Sequence, residues 1–118
     1  MDIEKNIIVG PTDTDSYNII HHPQYFIWIE KAILEWLISS YGSLEKVSYE
    51  ICKFQCKFLS PGILYDHLVL QLRLKYRKHV DVAEDIKFQA RIIKEQNKSS
   101  VIEADFYVKV KGEFGDGH

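Results

Sequence analysis

The stretch PQYFIWIEKAILEWLI, residues 23–38, decides the architecture of this chain. It is long enough for about four helical turns. Pro23 suits a first helical position, where the N–H it lacks would have had no partner anyway. Gln24, Lys31 and Glu35 make a narrow polar stripe; nearly every other side chain is apolar, so the helix must be buried on most of its sides. Ser39-Ser40-Tyr41-Gly42 comes next as a stop signal. Residues 19–38 also carry His21, His22, Pro23, Glu30, Lys31 and Glu35, too many costly groups for a membrane span.

Such a helix needs a cover, and the sequence beyond Gly42 supplies it with a change of period to two. Cys52, Phe54, Cys56 and Phe58 alternate with Ile51, Lys53, Gln55 and Lys57. Leu68, Leu70, Leu72, Leu74 and Tyr76 alternate with Val69, Gln71, Arg73, Lys75 and Arg77. Residues 84–93 set Ile86, Phe88, Ala90 and Ile92 on one face, and residues 100–111 do so with Ile102, Ala104, Phe106, Val108 and Val110. Strands with one apolar face each make an antiparallel sheet covered on one side. Together with a short strand over residues 3–9, they predict an α+β fold: a curved antiparallel sheet of about five strands wrapped around one long central helix. Residues 1–111 form the single domain, and the glycine-rich 112–118 a flexible tail. Val69, Ile93, Val101 and Tyr107 are left on the outer face, and the helix has more apolar girth than one sheet can cover. Homodimerisation would relieve both.

Composition narrows the function. The 118 residues carry 15 Lys+Arg against 17 Asp+Glu, a formal charge of −2, so no global field recruits nucleic acid or an anionic membrane. The start, MDIEKNIIVG, does not read as a signal peptide, and two cysteines are too few for a disulfide framework. The expected compartment is a reducing cytoplasm. Cys52 and Cys56, in phase on one strand, read as small buried hydrophobes facing the helix.

Residues 10–25, GPTDTDSYNIIHHPQY, hold the concentrated chemistry: two Asp, two His, a turn and a helix start. Asp13 and Asp15 read as turn formers or caps, since Asp bonds its own backbone in such loops. The spacing of Asp13, Asp15, His21 and His22 fits no standard zinc pattern.

This segment resembles the active-site loop of the hotdog-fold thioesterases, the 4-hydroxybenzoyl-CoA thioesterase-like acyl-CoA hydrolases. The motif stands as Asp13-Thr14-Asp15-Ser16-Tyr17-Asn18 running to His22-Pro23-Gln24-Tyr25, then Trp28 and Glu30. A second stretch, residues 58–66 (FLSPGILYD), is similar to that family's strand end, Pro, turn and Asp. Asn18 departs from the usual Gly, but Asn tolerates a left-handed backbone.

The resemblance implies thioester hydrolysis with Asp15 as the catalytic carboxylate, either nucleophile or general base toward water. It implies a backbone N–H at His22 as the donor to the carbonyl oxygen, and a helix N-terminus suits a developing oxyanion. Because residue 23 is proline, His22 and Gln24 are the donors nearby. The His22 side chain would orient the carboxylate, water or thioester, or else cap the loop. Tyr17, Asn18, Tyr25, Phe26 and Ile29 would line the acyl group, with Pro61 and Gly62 beside it. Arg77 and Lys78, with Arg73 and Lys75, would meet coenzyme A phosphates, or form a solvated strand face. Glu30 would be hydrogen-bonded rather than catalytic, and Asp66 a fold determinant. No metal or cofactor is needed. The partners implied are acyl-CoA or an acyl carrier protein and further copies of the chain, as a homodimer assembling into a homotetramer. A non-catalytic acyl-binding or interaction module of the same shape is the alternative, and an unrelated α+β ligand-binding domain a third reading.

Overall fold

The computed structural model describes residues 2–112. Its elements are β1 (Ile3–Ile8), a 3-10 turn (Pro11–Asp13), α1 (His22–Tyr41), β2 (Val47–Phe58), β3 (His67–Val80), β4 (Ala83–Lys94) and β5 (Ser100–Gly112). They form one antiparallel five-stranded sheet in the order β1-β3-β4-β5-β2. The first two strands in sequence are therefore the two edges. The helix between them has to cross a whole sheet face, which is why the chain places its most apolar segment there.

The covered face obeys the period-two reading. Leu68, Leu70, Leu72, Ile86, Phe88, Ala90, Ile92, Ile102, Phe106, Val108 and Val110 are buried against Tyr25, Ile29, Ala32, Ile33, Trp36 and Leu37 of α1. The helix runs three residues past Ile38 and stops at Gly42, whose φ of 82° favours a residue without Cβ. Asn18 takes φ 62°, the left-handed turn its side chain tolerates.

Length explains what stays open. Twenty helical residues reach about 30 Å, whereas the fourteen of β3 reach about 46 Å. Val80 and Val82 at the β3–β4 turn are consequently exposed, as are Phe54 and Phe58 on the edge strand β2. Ile27 and Ile38, on the helix side away from the sheet, are also uncovered, so α1 is buried on one side rather than most.

Several sequence expectations change. Cys52 and Cys56 are exposed. A register shift between Ile51 and Lys53 takes Cys52 out of the ladder, and Cys56, opposite Ala104, lies on an edge strand that the helix covers only in part. A second bulge, between Leu74 and Tyr76, turns Tyr76 outward opposite Lys87 and Arg77 inward opposite Ile86. Val69, Ile93 and Val101 are already buried within one chain, so they are no argument for a dimer. Gly112 ends β5 opposite Val47, while the rest of the expected tail, 113–118, lies outside the described residues.

Candidate active site

Residues 13–21 form a tight hairpin that ends at the start of α1. The His21 N–H donates to the Asp13 carbonyl at 3.0 Å, Thr14 bridges Ile20, and the Asp15 N–H donates to the Ile19 carbonyl at 2.8 Å. Asp13 is spent on the turn: its Oδ2 accepts the Gly10 N–H at 2.8 Å. Asp15 differs. Its Oδ1 accepts both the Tyr17 N–H, at 2.8 Å, and the Ile19 N–H, at 3.1 Å. Among the described residues no hydrogen bond reaches Oδ2. One oxygen orients the carboxylate and the other stays free, so the turn-forming and chemical readings of Asp15 are compatible.

A brace holds this hairpin. The Ile20 N–H donates to the Gly62 carbonyl and the Leu64 N–H to the Asn18 carbonyl, each at 2.9 Å, while Ile19 bridges Ile63. The Ile63 N–H donates to Asp66 Oδ2 at 3.0 Å, and Lys94 lies 3.5 Å from the same oxygen, which makes Asp66 a clamp on its own turn. The Gly62 N–H donates to the Tyr25 hydroxyl at 3.3 Å. Burial pushes that hydroxyl above its ordinary value, the Gly62 N–H pulls it down and Asp66 raises it, so Tyr25 stays a neutral acceptor. A Cβ on Gly62 would come within 2.4 Å of Ile20 Cδ1 and 3.0 Å of the Tyr25 hydroxyl. Gly62→Ala is expected to cost about 1–3 kcal/mol through overpacking, lowering the thermal midpoint by about 5–10 °C. A melt unchanged from wild type would show that the brace yields freely.

The helix start presents one free donor. Pro23 has no N–H, and the Gln24 N–H donates to the His21 carbonyl at 3.0 Å. The His22 N–H has no partner among the described residues, and it sits at the positive end of a 20-residue helix. The His22 ring stacks on Phe58, centroids 4.0 Å apart and planes within 9°. Phe26, one turn on, packs against Phe54, Phe58 and Phe106. Glu30, a further turn along, accepts the Tyr49 hydroxyl at 3.1 Å, as expected of a hydrogen-bonded rather than a reacting group. The result is an aromatic shelf between α1 and the open edge of β2, with Phe54 51% and Phe58 40% exposed.

The structure thus brings Asp15, Tyr17, Asn18, His22, Phe26, Pro61 and Gly62 to one end of the sheet. Two of the expected acyl contacts are not available as such. Tyr25 and Ile29 are 2% and 0% exposed; they lie on the sheet side of the helix, in the core. Tyr17, at 81% exposed, lines nothing within one chain. Arg77 and Lys78 are not brought to the hairpin at all. The bulge at Lys75 swings Arg77 inward, over the Trp36 and Tyr41 rings and onto the buried Glu84. That is about 20 Å along the helix from His22. Lys78 sits over the Tyr76 ring. Sequence reasoning misses Phe58 as the partner of His22, although its in-phase position at the end of β2 is a signal. No group of three or more His, Cys, Asp or Glu among the described residues is placed to hold a metal.

A helix wrapped by a five-stranded antiparallel sheet, with an acidic hairpin feeding the helix N-terminus, defines a hotdog-fold protein. Residues 17–113 match the model of the thioesterase superfamily, and the chain belongs to that family of thioester hydrolases. The match begins two residues after Asp15. A search of the curated proteins finds no match. Among solved structures, the chain is similar to a 1,4-dihydroxy-2-naphthoyl-CoA thioesterase from Synechocystis, with 13% identity over 95% of this chain and 83% of that one and a TM-score of 0.77. A gentisyl-coenzyme A thioesterase gives 18%, 92%, 88% and 0.76 in the same terms. A Staphylococcus aureus protein solved in complex with CoA gives 16%, 93%, 70% and 0.78. At these identities the likeness is one of fold. No helix among the described residues is long and apolar enough to cross a membrane.

Proposed function

We propose that the protein hydrolyses acyl-CoA, or an acyl group on a carrier protein, to a free carboxylic acid and a thiol. The observation that carries this reading is a carboxylate pinned through one oxygen, with the other free, on the hairpin that ends at an unpaired helix-start N–H. The thioester carbonyl oxygen accepts the His22 N–H. As the carbonyl carbon becomes tetrahedral, charge grows on that oxygen, and the donor and helix end stabilise it more than they stabilise the ground state. Asp15 Oδ2 either takes the proton of an attacking water, whose adduct collapses to the acid and the thiolate, or bonds the carbonyl carbon itself, expelling the thiolate and leaving a mixed anhydride that water then hydrolyses to the acid. Either way the negative charge grows on the oxygen facing the His22 N–H. The His22 side chain, stacked flat on Phe58, orients rather than transfers a proton. The acyl group lies on the shelf of Phe26, Phe54 and Phe58, and the exposed Tyr17 and Asn18 meet it once a second copy closes the shelf. No metal or cofactor enters the scheme. The CoA complex of the Staphylococcus aureus protein favours CoA as the thiol carrier. The cytoplasm is the proposed compartment, since Cys52 and Cys56 are free and exposed thiols suited to reducing conditions.

The site is completed by a second copy. β2 is a twelve-residue edge strand whose outer backbone groups pair with no other strand among the described residues and whose inner aromatics are exposed, a surface that pairs with another chain if left bare. A homodimer across β2 would close the shelf, and two dimers would form a homotetramer. Thiol release from a panel of acyl-CoA and acyl-carrier-protein substrates tests the activity; no release from any member would favour a non-catalytic acyl-binding module. Sedimentation at micromolar concentration should give a dimer or tetramer mass. A stable monomer would remove the shared shelf.

A further inference from the structure

The flank of α1 opposite the aromatic shelf carries a second concavity. His22, Phe26 and Glu30 lie along the β2 side of the helix, whereas Trp28, Lys31 and Glu35 run along the β1 side. There the helix, β1 and β3 form an open groove of about 430 Å³, within the size range of small-molecule sites. Its floor is apolar: Ile7, Trp28, Leu34 and Leu70. Its rim is charged. Lys5 Nζ and Glu35 Oε1 are 2.6 Å apart and neutralise each other across the mouth. Lys31 lines the same groove and forms no ion pair among the described residues. Lys5, Lys31 and Glu35 together leave the rim with one uncompensated positive charge above an apolar floor.

The geometry points to a binding groove for an amphipathic carboxylate, its tail along Trp28 and its head at Lys31. The helix positions that line it, from residue 28 to 35, span about 10 Å, the reach of a medium-length alkyl chain. A fully apolar ligand would leave the Lys31 charge unused, and a small anion would leave the floor wet. An amphipathic anion satisfies both. The groove lies apart from Asp15 and does not depend on the thioesterase reading.

The test is built into the sequence. Trp28 lines the groove, while the second tryptophan, Trp36, is buried edge-on to Phe88 in the core. Octanoate should therefore change the intrinsic fluorescence saturably, and Trp28→Phe should abolish that signal while calorimetry still detects binding. Lys31→Glu, at an exposed position, should weaken binding by about tenfold, the low end of what a hydrogen bond to a charged group is worth. Octanol, with the same chain and no charge, should bind about tenfold more weakly than octanoate. Asp15→Asn should bind octanoate as wild type does, so failure of the catalytic reading leaves this result untouched. Any of four outcomes overturns the proposal: no saturable response, equal affinity in Lys31→Glu, equal affinity for octanol, or loss of binding in Asp15→Asn. A signal that rises with protein concentration in the absence of octanoate would assign the groove to a second copy instead, and would overturn it too.

Discussion

Asp15→Asn should lower the rate of thiol release from the best acyl-CoA substrate by about 10²–10⁴-fold, the contribution of a positioned acid–base group. This substitution separates chemistry from folding. The amide oxygen of the replacement side chain can still accept the Tyr17 and Ile19 N–H groups that Asp15 Oδ1 accepts now, so the hairpin survives. What disappears is the negative charge and basicity of the free oxygen. The expected pattern is a large fall in kcat with little change in KM and a thermal midpoint within a few degrees of wild type. That split indicates an interaction made in the transition state. Equal rates for the two proteins would remove Asp15 from the mechanism. A fall in rate that tracks a fall in melting temperature would reduce it to a turn former.

The second large effect is on stability, and it lies at the other end of the helix. Arg77 pairs side-on with Glu84 and covers the Trp36 and Tyr41 rings. Burial alone would push the Glu84 carboxyl up, but the Arg77 hydrogen bonds and charge overturn this and hold it below the ordinary carboxylate range. Burial pushes the Tyr41 hydroxyl up to about 12, Arg77 lowering it and Glu84 raising it, so it stays protonated as a donor. Arg77→Leu leaves Glu84 buried without its cation. A fully buried broken pair costs about 3–5 kcal/mol. Because Arg77 is itself 38% exposed, against 8% for Glu84, we expect about 2–3 kcal/mol after solvent screening. Urea unfolding in neutral buffer and in mild acid checks the sign. In wild type, a depressed carboxyl adds stability that is present above its unfolded value and lost as the pH falls through the folded one. In Arg77→Leu the two Arg77 contributions are gone, and although the Tyr41 hydroxyl and His79 still oppose burial, the carboxyl moves up from its wild-type position. Its penalty then grows as the pH rises, and the variant should lose least, relative to wild type, in acid. A deficit independent of pH would mean that packing on Trp36 and Tyr41, and not charge, is what Arg77 supplies.

Much of this molecule is legible from residues alone, and the limits have a common cause. Alternation over residues 84–93 and 100–111 identifies the buried faces of β4 and β5, because a pleated strand puts every second side chain on one side until a bulge intervenes. In β4 the pairing runs without a shift as far as Ile92. Gly42 and Asn18 are readable because a left-handed backbone restricts the residue type. The Asp15 loop and the His22 helix start are readable because turn and cap chemistry is local. Bulges are not. The extra residues Cys52 and Lys75 look like ordinary members of an alternating run, yet each resets the phase of the residues after it. The second reset is why Arg77, expected at a phosphate rim, serves a buried carboxylate instead. Glu84 is in phase with Ile86 and Phe88, so its burial is implied by the alternation; its charge is what disguises it.

The sequence by itself therefore determined the class of fold, the order of its elements and the segment that holds the candidate chemistry, since each depends on periods and turns within about twenty residues. Only the tertiary structure decided that Tyr25 is buried with its hydroxyl bracing Gly62, that Phe58 lies under His22, and that α1 has two unlike flanks. Those facts depend on which strands become the edges. With order β1-β3-β4-β5-β2, the strands flanking the helix in sequence end up farthest apart in the sheet, and the helix between them is covered at its middle and open on either side.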